Sequence, residues 1–235
     1  MFAEASSRLR TQAGTNFPAM PRTLSNLLNL SLDPTTEQHD LIAAAELDPA
    51  ILAEFLKLEP PVEMADWHRP FNRIHFMCVT AGLADKLLSI SEDVWKSSNE
   101  LGQYALVCSH IAASLSKTAE LQGTADARLT ALLSSMGDNS LSYLPLAPRD
   151  AIRFQYAPAD ALKNTDSLIQ IVAIANQLAQ NSDVPIRDDY LSDWGFHDLS
   201  GTQISEDARK SVTNCFIICR LPMTTRPNRP ISPRH

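Results

Sequence analysis

The sequence predicts an all-α protein, and two observations support this fold class. Apolar residues recur at helical spacing along most of the chain, in segments that begin and end at capping and proline signals. Alternation typical of a β-sheet is missing, and the one strand-like stretch, Cys215–Cys219, is too short to distinguish from a helical turn. With 235 residues, of which 44% are hydrophobic and 20% charged, the chain can bury a sizeable core.

Two helices are predicted first. Pro21 can begin a helix because the N–H that it lacks would be unpaired there, and the segment Asp33-Pro34 ends that helix. Leucines follow Pro21 at helical spacing: Leu24, Leu27, Leu28 and Leu32. Thr35 lies three residues before Gln38, which is the spacing of a capping box, so a second helix is expected to run to about Leu47.

The next three helices have similar signals. Asp48-Pro49 places an N-cap acceptor before a first-turn proline, and Pro60-Pro61 closes the element. Its apolar stripe consists of Ile51, Leu52, Phe55 and Leu56. Apolar residues from Ile74 to Ile90 favour a further helix, and Ser91 can cap another that runs to Leu115.

Two more helices are predicted in the second half of the chain. Gly123-Thr124 begins a helix that contains Leu133, and Asp166 caps a helix that contains Ala179. The second of these has the most regular apolar stripe: Leu168, Ile171, Val172, Ala175, Leu178 and Ala179.

Charge and composition exclude several functions. A formal net charge of -7, from 20 Lys and Arg against 27 Asp and Glu, argues against a nucleic-acid partner. Segments that could span a membrane or direct secretion are missing, which predicts a cytoplasmic protein. The four cysteines are therefore expected to be reduced, and they are Cys78, Cys108, Cys215 and Cys219. Nucleotide-binding glycine motifs and the serine-hydrolase elbow are also missing.

The order of turn signals near the start resembles that of the HDOD domain family. Phe17-Pro18-Ala19-Met20-Pro21 precedes the leucine pair Leu27-Leu28, which precedes Asp33-Pro34 and then Leu47-Asp48-Pro49-Ala50-Ile51. Further on, Leu132–Gly137 is similar to the family's Leu-Leu-His-Asp-Ile-Gly motif, and Leu168–Ala179 is similar to its late helix.

The resemblance implies a multi-helix HDOD-like fold over residues 15–183. In such a fold a leading helical part, residues 15–90, would pack on a degenerate HD-type helical bundle, residues 91–183. Residues 184–219 would form a C-terminal extension whose composition is compatible with a helix. Residues 1–14 and 220–235 are predicted to be mobile, because they contain little that could form a core.

The resemblance also identifies the positions at which catalytic HD relatives hold a divalent metal. Ser134 and Ser135 replace the family's His-Asp pair, and Asn176 replaces its late Asp. The first histidine ligand corresponds to Tyr104 or, in another register, to Ser97. Neutral hydroxyl and amide groups leave the charge of a metal ion uncompensated, so we expect no metal, no cofactor and no catalysis.

A polar remnant of the metal site could still bind a ligand. Arg153, Gln155 and Tyr156 lie where HD relatives often have a second histidine cluster, and with Ser134, Ser135 and Asn176 they could hold an anion or a small molecule. The alternative is that these groups simply satisfy one another's hydrogen bonds.

The resemblance implies a non-catalytic regulatory domain of bacterial signal transduction. Such a domain would bind a protein partner of a signalling pathway or a small ligand, with a nucleotide among the candidates. One alternative is an HD-superfamily phosphohydrolase with atypical ligands such as His110, Asp138 or Asp150. Another is a structural adaptor with no ligand pocket.

Overall fold

The chain folds into α-helices, as the sequence predicts. The computed structural model describes residues 18–87, 92–119, 123–137, 141–162 and 165–180, together with Ile204, Asp207 and Lys210, and contains no strand within them. The helices are α1 Pro21–Leu32, α2 Gln38–Ala45, α3 Pro49–Leu58, α4 Arg73–Leu87, α5 Glu92–Thr118, α6 Thr124–Leu133, α7 Leu146–Arg153, α8 Ala159–Leu162 and α9 Ser167–Gln180. Two 3₁₀ turns lie at Met64–Asp66 and Ser134–Met136.

Several predictions fall on residues outside these ranges. They concern residues 1–14, Ser91, Cys215–Cys219 and residues 220–235. Of the extension 184–219, Ile204, Asp207 and Lys210 are described, and all three positions are helical. Within the described ranges, no helix combines the length and the apolar character needed to cross a bilayer.

The capping box predicted at Thr35 and Gln38 is wrong. The N-cap of α2 is Glu37, whose backbone N–H donates to the Asp40 carboxylate at 3.2 Å. The Thr35 hydroxyl instead donates to Asp33 Oδ1 at 2.7 Å, which forms a local turn after α1. The Thr35 hydroxyl forms its hydrogen bond before the helix begins, because the Asp33 carboxylate lies only two residues away.

Helix α5 lies at the centre of the packing. It contacts α6 and α9 extensively, whereas α1 packs mainly on α4 and α2. Tyr104, Cys108 and Ile111 of α5 belong to a core shared with α9. Ala105 and Leu106 belong to a second core that extends through the helices before it. One helix therefore supplies buried side chains to both cores.

Phe55 of α3 lies in this second core, where its ring contacts three other aromatic rings. Its ring lies 5.4 Å from Trp67, 5.0 Å from Phe71 and 4.6 Å from Phe76, measured between ring centroids in tilted or edge-on arrangements. The Trp67 indole N–H donates to Glu46 at 2.9 Å. The same Glu46 carboxylate accepts from Arg128 of α6, so this cluster also joins α2 and α3 to α6.

Asp48 forms a second joint between the segment before α1 and the start of α3. One of its carboxylate oxygens accepts from the backbone N–H groups of Ala50 at 2.8 Å and Ile51 at 3.3 Å, which is the N-cap role predicted for it. The other oxygen accepts from the Met20 N–H. Asp48 is completely buried, and burial raises its pKa from 3.8 to about 6 although all three N–H groups act in the opposite direction.

The segment before α1 also packs closely on α5. The Ser98 hydroxyl donates to the Pro18 carbonyl at 2.7 Å. One turn later, Gly102 leaves room for the buried Met20 side chain, since a Cβ on Gly102 would lie 2.3 Å from Met20 Sδ. Residues 18–20 therefore contact both α3 and α5.

Because the pKa of the buried Asp48 carboxyl is raised, we expect the stability of the folded protein to depend on pH. Because the pKa of Asp48 is higher in the folded state than in the unfolded chain, the folded state binds more protons between about pH 4 and pH 6. Its contribution to the free energy of unfolding therefore falls as the pH rises through this window, by about 2 kcal/mol. Urea denaturation of wild type and Asp48→Asn should show the difference between the two free energies shrinking by this amount.

Asp33→Asn is the matched control, because Asp33 also precedes a proline but is exposed. Hydrogen bonds from the Thr35 hydroxyl and backbone N–H lower the pKa of Asp33, so its contribution is lost as the pH falls and has the opposite sign. Parallel stability profiles for wild type and Asp48→Asn from about pH 4 to pH 6 would contradict the prediction.

Candidate functional site

The candidate site is centred on the side-chain amide of Asn176, in the middle of α9. The amide nitrogen donates to the Val172 carbonyl at 2.9 Å and to the Ser134 hydroxyl at 3.1 Å. The amide oxygen accepts from the Tyr104 hydroxyl at 3.0 Å and from the Cys108 thiol at 3.5 Å. A primary amide offers two donors and two acceptor positions, and all four are used.

Helix geometry brings these groups together. Tyr104 and Cys108 are four residues apart on α5, so both side chains project from the same face. Ser134 begins the 3₁₀ turn that follows α6, and its hydroxyl donates to the Ala131 carbonyl at 2.7 Å. The site is therefore built where α5, α9 and the end of α6 meet.

The cluster continues outward through two glutamines. Gln180, one turn after Asn176, donates to the Tyr104 hydroxyl at 3.4 Å. Gln155 donates its side-chain N–H to the Ser134 carbonyl at 3.0 Å. Its amide oxygen is buried and lacks a hydrogen-bond partner among the described residues.

The groups at the centre are neutral at physiological pH. Burial raises the pKa of Tyr104 far above its ordinary value, and the neighbouring Cys108 and Tyr156 act in the same direction. Burial also raises the pKa of the Cys108 thiol to about 12. Both side chains therefore keep their protons and act as hydrogen-bond donors, and neither supplies an anion.

The structure brings together four of the residues singled out from the sequence: Tyr104, Ser134, Gln155 and Asn176. Ser135 is buried next to them, but its hydroxyl bonds only weakly, at 3.4 Å, to the Leu132 carbonyl. The side chain of Ser97, the alternative to Tyr104, lies outside the described part of the structure.

Arg153 and Tyr156 are placed differently from the other predicted residues. The Arg153 side chain is half exposed, with its guanidinium 3.9 Å from the Asp150 carboxylate. Tyr156 is 51% exposed, and it lies close enough to Tyr104 to contribute to the raised pKa of that hydroxyl. Both residues are therefore exposed, unlike the buried residues of the cluster.

Sequence reasoning missed Cys108 and Gln180 as members of the cluster. The signal was present, since Cys108 follows Tyr104 by four residues and Gln180 follows Asn176 by four. Residues with this spacing share a helix face. Any polar group one turn from a buried polar position is therefore a candidate partner.

The donor set does not match a metal site. Hydroxyl, amide and protonated thiol groups are poor ligands for a divalent ion, which favours carboxylate, imidazole or thiolate. Across the described ranges, no three His, Cys, Asp or Glu side chains are grouped so that they could hold a metal. Of the alternative ligands, Asp150 lies beside Arg153, His110 lies near Arg128, and Asp138 is outside the described residues.

The two serines of the motif should differ in their effect on stability. Ser134→Ala removes the acceptor of an Asn176 N–H in a buried setting, so we expect a loss of about 1–3 kcal/mol in the free energy of unfolding. Ser135→Ala removes one long hydrogen bond and should cost about 0.5 kcal/mol or less. Guanidinium denaturation measures both. Equal losses for the two variants would contradict the assignment of Ser134 to the cluster.

Three residues that are far apart in the sequence meet at the candidate site: Tyr104, Ser134 and Asn176. Tyr104 and Ser134 each lie within hydrogen-bonding distance of Asn176. No family model, curated protein or solved structure matches this chain.

Proposed function

We propose that this chain is an HDOD-like regulatory domain that has no phosphohydrolase activity and acts by binding a protein partner. The observation that carries the proposal is the closed hydrogen-bond network of Asn176 with Tyr104, Cys108 and Ser134. The resemblance aligns three of these residues, Tyr104, Ser134 and Asn176, with positions at which catalytic HD proteins hold their metal. On this proposal the domain works in the bacterial cytoplasm as a component of a signalling pathway.

A metal ion would have to disrupt this network in order to bind. Coordination by Tyr104 or Cys108 requires loss of a proton, and burial raises the pKa of each group. Coordination by the Asn176 oxygen would displace the two donors that it already accepts from. These costs support a structural role for the cluster.

The arrangement of the leading helices also supports the resemblance. The first motif block contains Met20 and the later block contains Asp48, and a hydrogen bond from the Met20 N–H to the Asp48 carboxylate joins them. The segments whose sequence order carries the resemblance are thus in contact. Such contact is what a shared scaffold predicts.

The pairing of Asn176 and Ser134 favours a protein partner over a small ligand bound within the cluster. A buried ligand binds through polar groups that converge on a pocket. Here the Asn176 amide and the Ser134 hydroxyl are already paired. Recognition is therefore assigned to the surface of the domain.

Metal titration tests the proposal. Purified protein, stripped with EDTA, is titrated with Mn²⁺, Mg²⁺ and Zn²⁺ while its melting temperature is followed, and is assayed with p-nitrophenyl phosphate, its bis ester and cyclic dinucleotides. We expect no ion to raise the melting temperature, because an ion that binds only the folded state must stabilise it, and we expect no turnover.

Metal binding with turnover would favour the enzyme alternative. A stoichiometric divalent ion together with phosphoester turnover that Ser135→Ala abolishes would contradict the proposal and favour the enzyme alternative. Asp66→Ala, at a partly exposed ion pair with Arg69, is the control variant and should leave both measurements unchanged.

A further inference from the structure

The segment before α1, residues 18–20, is buried, and three contacts hold it against two helices. The Ser98 hydroxyl of α5 donates to the carbonyl of its first residue, and the Met20 side chain fills the space left by Gly102 of α5. The Met20 N–H donates to the Asp48 carboxylate at the start of α3. Only this last contact contains a titratable group, so pH can act on the attachment through Asp48. We call residues 18–20 the entry segment.

Asp48 has no cationic partner among the described residues. Its side chain is fully buried, and the groups that donate to it are the backbone N–H groups of Met20, Ala50 and Ile51. An ionised carboxylate in this setting has lost its hydration, and three neutral donors replace only part of it. Burial therefore raises the pKa of Asp48 to about 6 despite the three N–H groups.

The charged side chains on the surrounding elements do not offset this cost. Within the described ranges, the pKa of Asp48 is raised by burial and lowered by backbone N–H groups, and no charged side chain contributes to the shift. Glu46, two residues before Asp48, is occupied by Trp67 and Arg128. The other charged residues nearest along these elements are Arg22 of α1, Glu54 of α3, and Lys96 and Glu100 of α5.

We propose that Asp48 and the entry segment form a pH-sensitive latch, which protonation of the carboxyl closes and ionisation loosens. In the closed state the entry segment contacts Asp48 and is buried together with it. Once the carboxyl is ionised, water is its better partner, and water reaches it when the entry segment leaves α3. Release would also uncover the surface of α5 around Ser98 and Gly102.

The latch can open without unfolding the domain. Detachment breaks the hydrogen bonds of Met20 and Ser98 and exposes two apolar side chains, Ala19 and Met20. The other carboxylate oxygen of Asp48 keeps its N-cap bonds, so the start of α3 is preserved. Openings that expose so little surface have lower free energies than global unfolding. The latch is therefore a local device, distinct from the stability of the whole fold.

Amide hydrogen exchange of the full chain, resolved to single residues, tests the latch at pH 5 and pH 7. After correction for the intrinsic rate, the Met20 amide should exchange faster than the amides of α9. Urea too dilute to unfold the protein should not accelerate it. The open population at Met20 should be about ten times larger at pH 7 than at pH 5, because Asp48 is then mostly ionised.

Two variants separate the titrating contact from the neutral one. Asp48→Asn keeps an oxygen for the cap of α3 but turns an amide N–H towards the Met20 N–H, so the entry segment should open at both pH values equally. Ser98→Ala removes only the neutral contact. It should raise the open population by a similar factor at pH 5 and pH 7, and the dependence on pH should remain about tenfold.

Three results would overturn the inference. Exchange of the Met20 amide no faster than that of α9 would show that the entry segment leaves only when the whole domain unfolds. An equal open population at the two pH values would show that ionisation does not loosen it, and a pH dependence retained in Asp48→Asn would assign the titration to another group. The wild-type comparison is decisive even without a folded variant. These results leave the metal titration unaffected, so failure here is distinct from failure of the proposed function.

Discussion

The rest of the structure depends on the pairing of one buried amide. Asn176 lies in a helix whose neighbouring residues, Val172 to Ala175, are all buried, so water cannot compensate any donor or acceptor that the protein leaves free. Its partners come from α5, from the turn after α6 and from its own helix. A rotation or slip of any of these elements would leave a polar group unsatisfied in the core, at a cost of about 1–3 kcal/mol for each group. The amide thereby fixes the relative positions of three helices.

A second set of contacts joins the helices before α5 to α5 and α6. Asp48 holds the segment before α1 to α3, and Ser98 holds the same segment to α5. Glu46 also accepts from Trp67 and from Arg128 of α6. Each joint uses a partly or fully buried polar group that is specific for its partner.

Much of this fold could be predicted from the sequence, because the signals are local. Proline at the start of α1 and the Asp48-Pro49 cap of α3 act within one helical turn, and both were placed correctly. Helix α7 was not predicted, because it has only 8 residues and contains a proline in its first turn. The capping box failed for a similar reason, since Asp33 competes for Thr35 at shorter range than Gln38.

The candidate site was less accessible to sequence reasoning, because its residues are far apart along the chain. Tyr104 and Asn176 are 72 residues apart, and only the family resemblance suggested that they meet. Resemblance gave positions without orientations, which is why Arg153 was expected in the cluster although its side chain is half exposed. Cys108 and Gln180 belong to the site by helix spacing, which a search around the first candidates would have found.

Asn176→Asp tests the central claim that the cluster is a neutral structural network. The new carboxylate would present oxygen to the Val172 carbonyl and would have no N–H to give to Ser134. We predict a loss of about 3 kcal/mol or more in the free energy of unfolding at neutral pH, with no stabilisation by Mn²⁺. Asn29→Asp, at an exposed position of α1, is the control and should change little. An Asn176→Asp protein as stable as wild type, and stabilised further by Mn²⁺, would show a latent metal site and contradict the account.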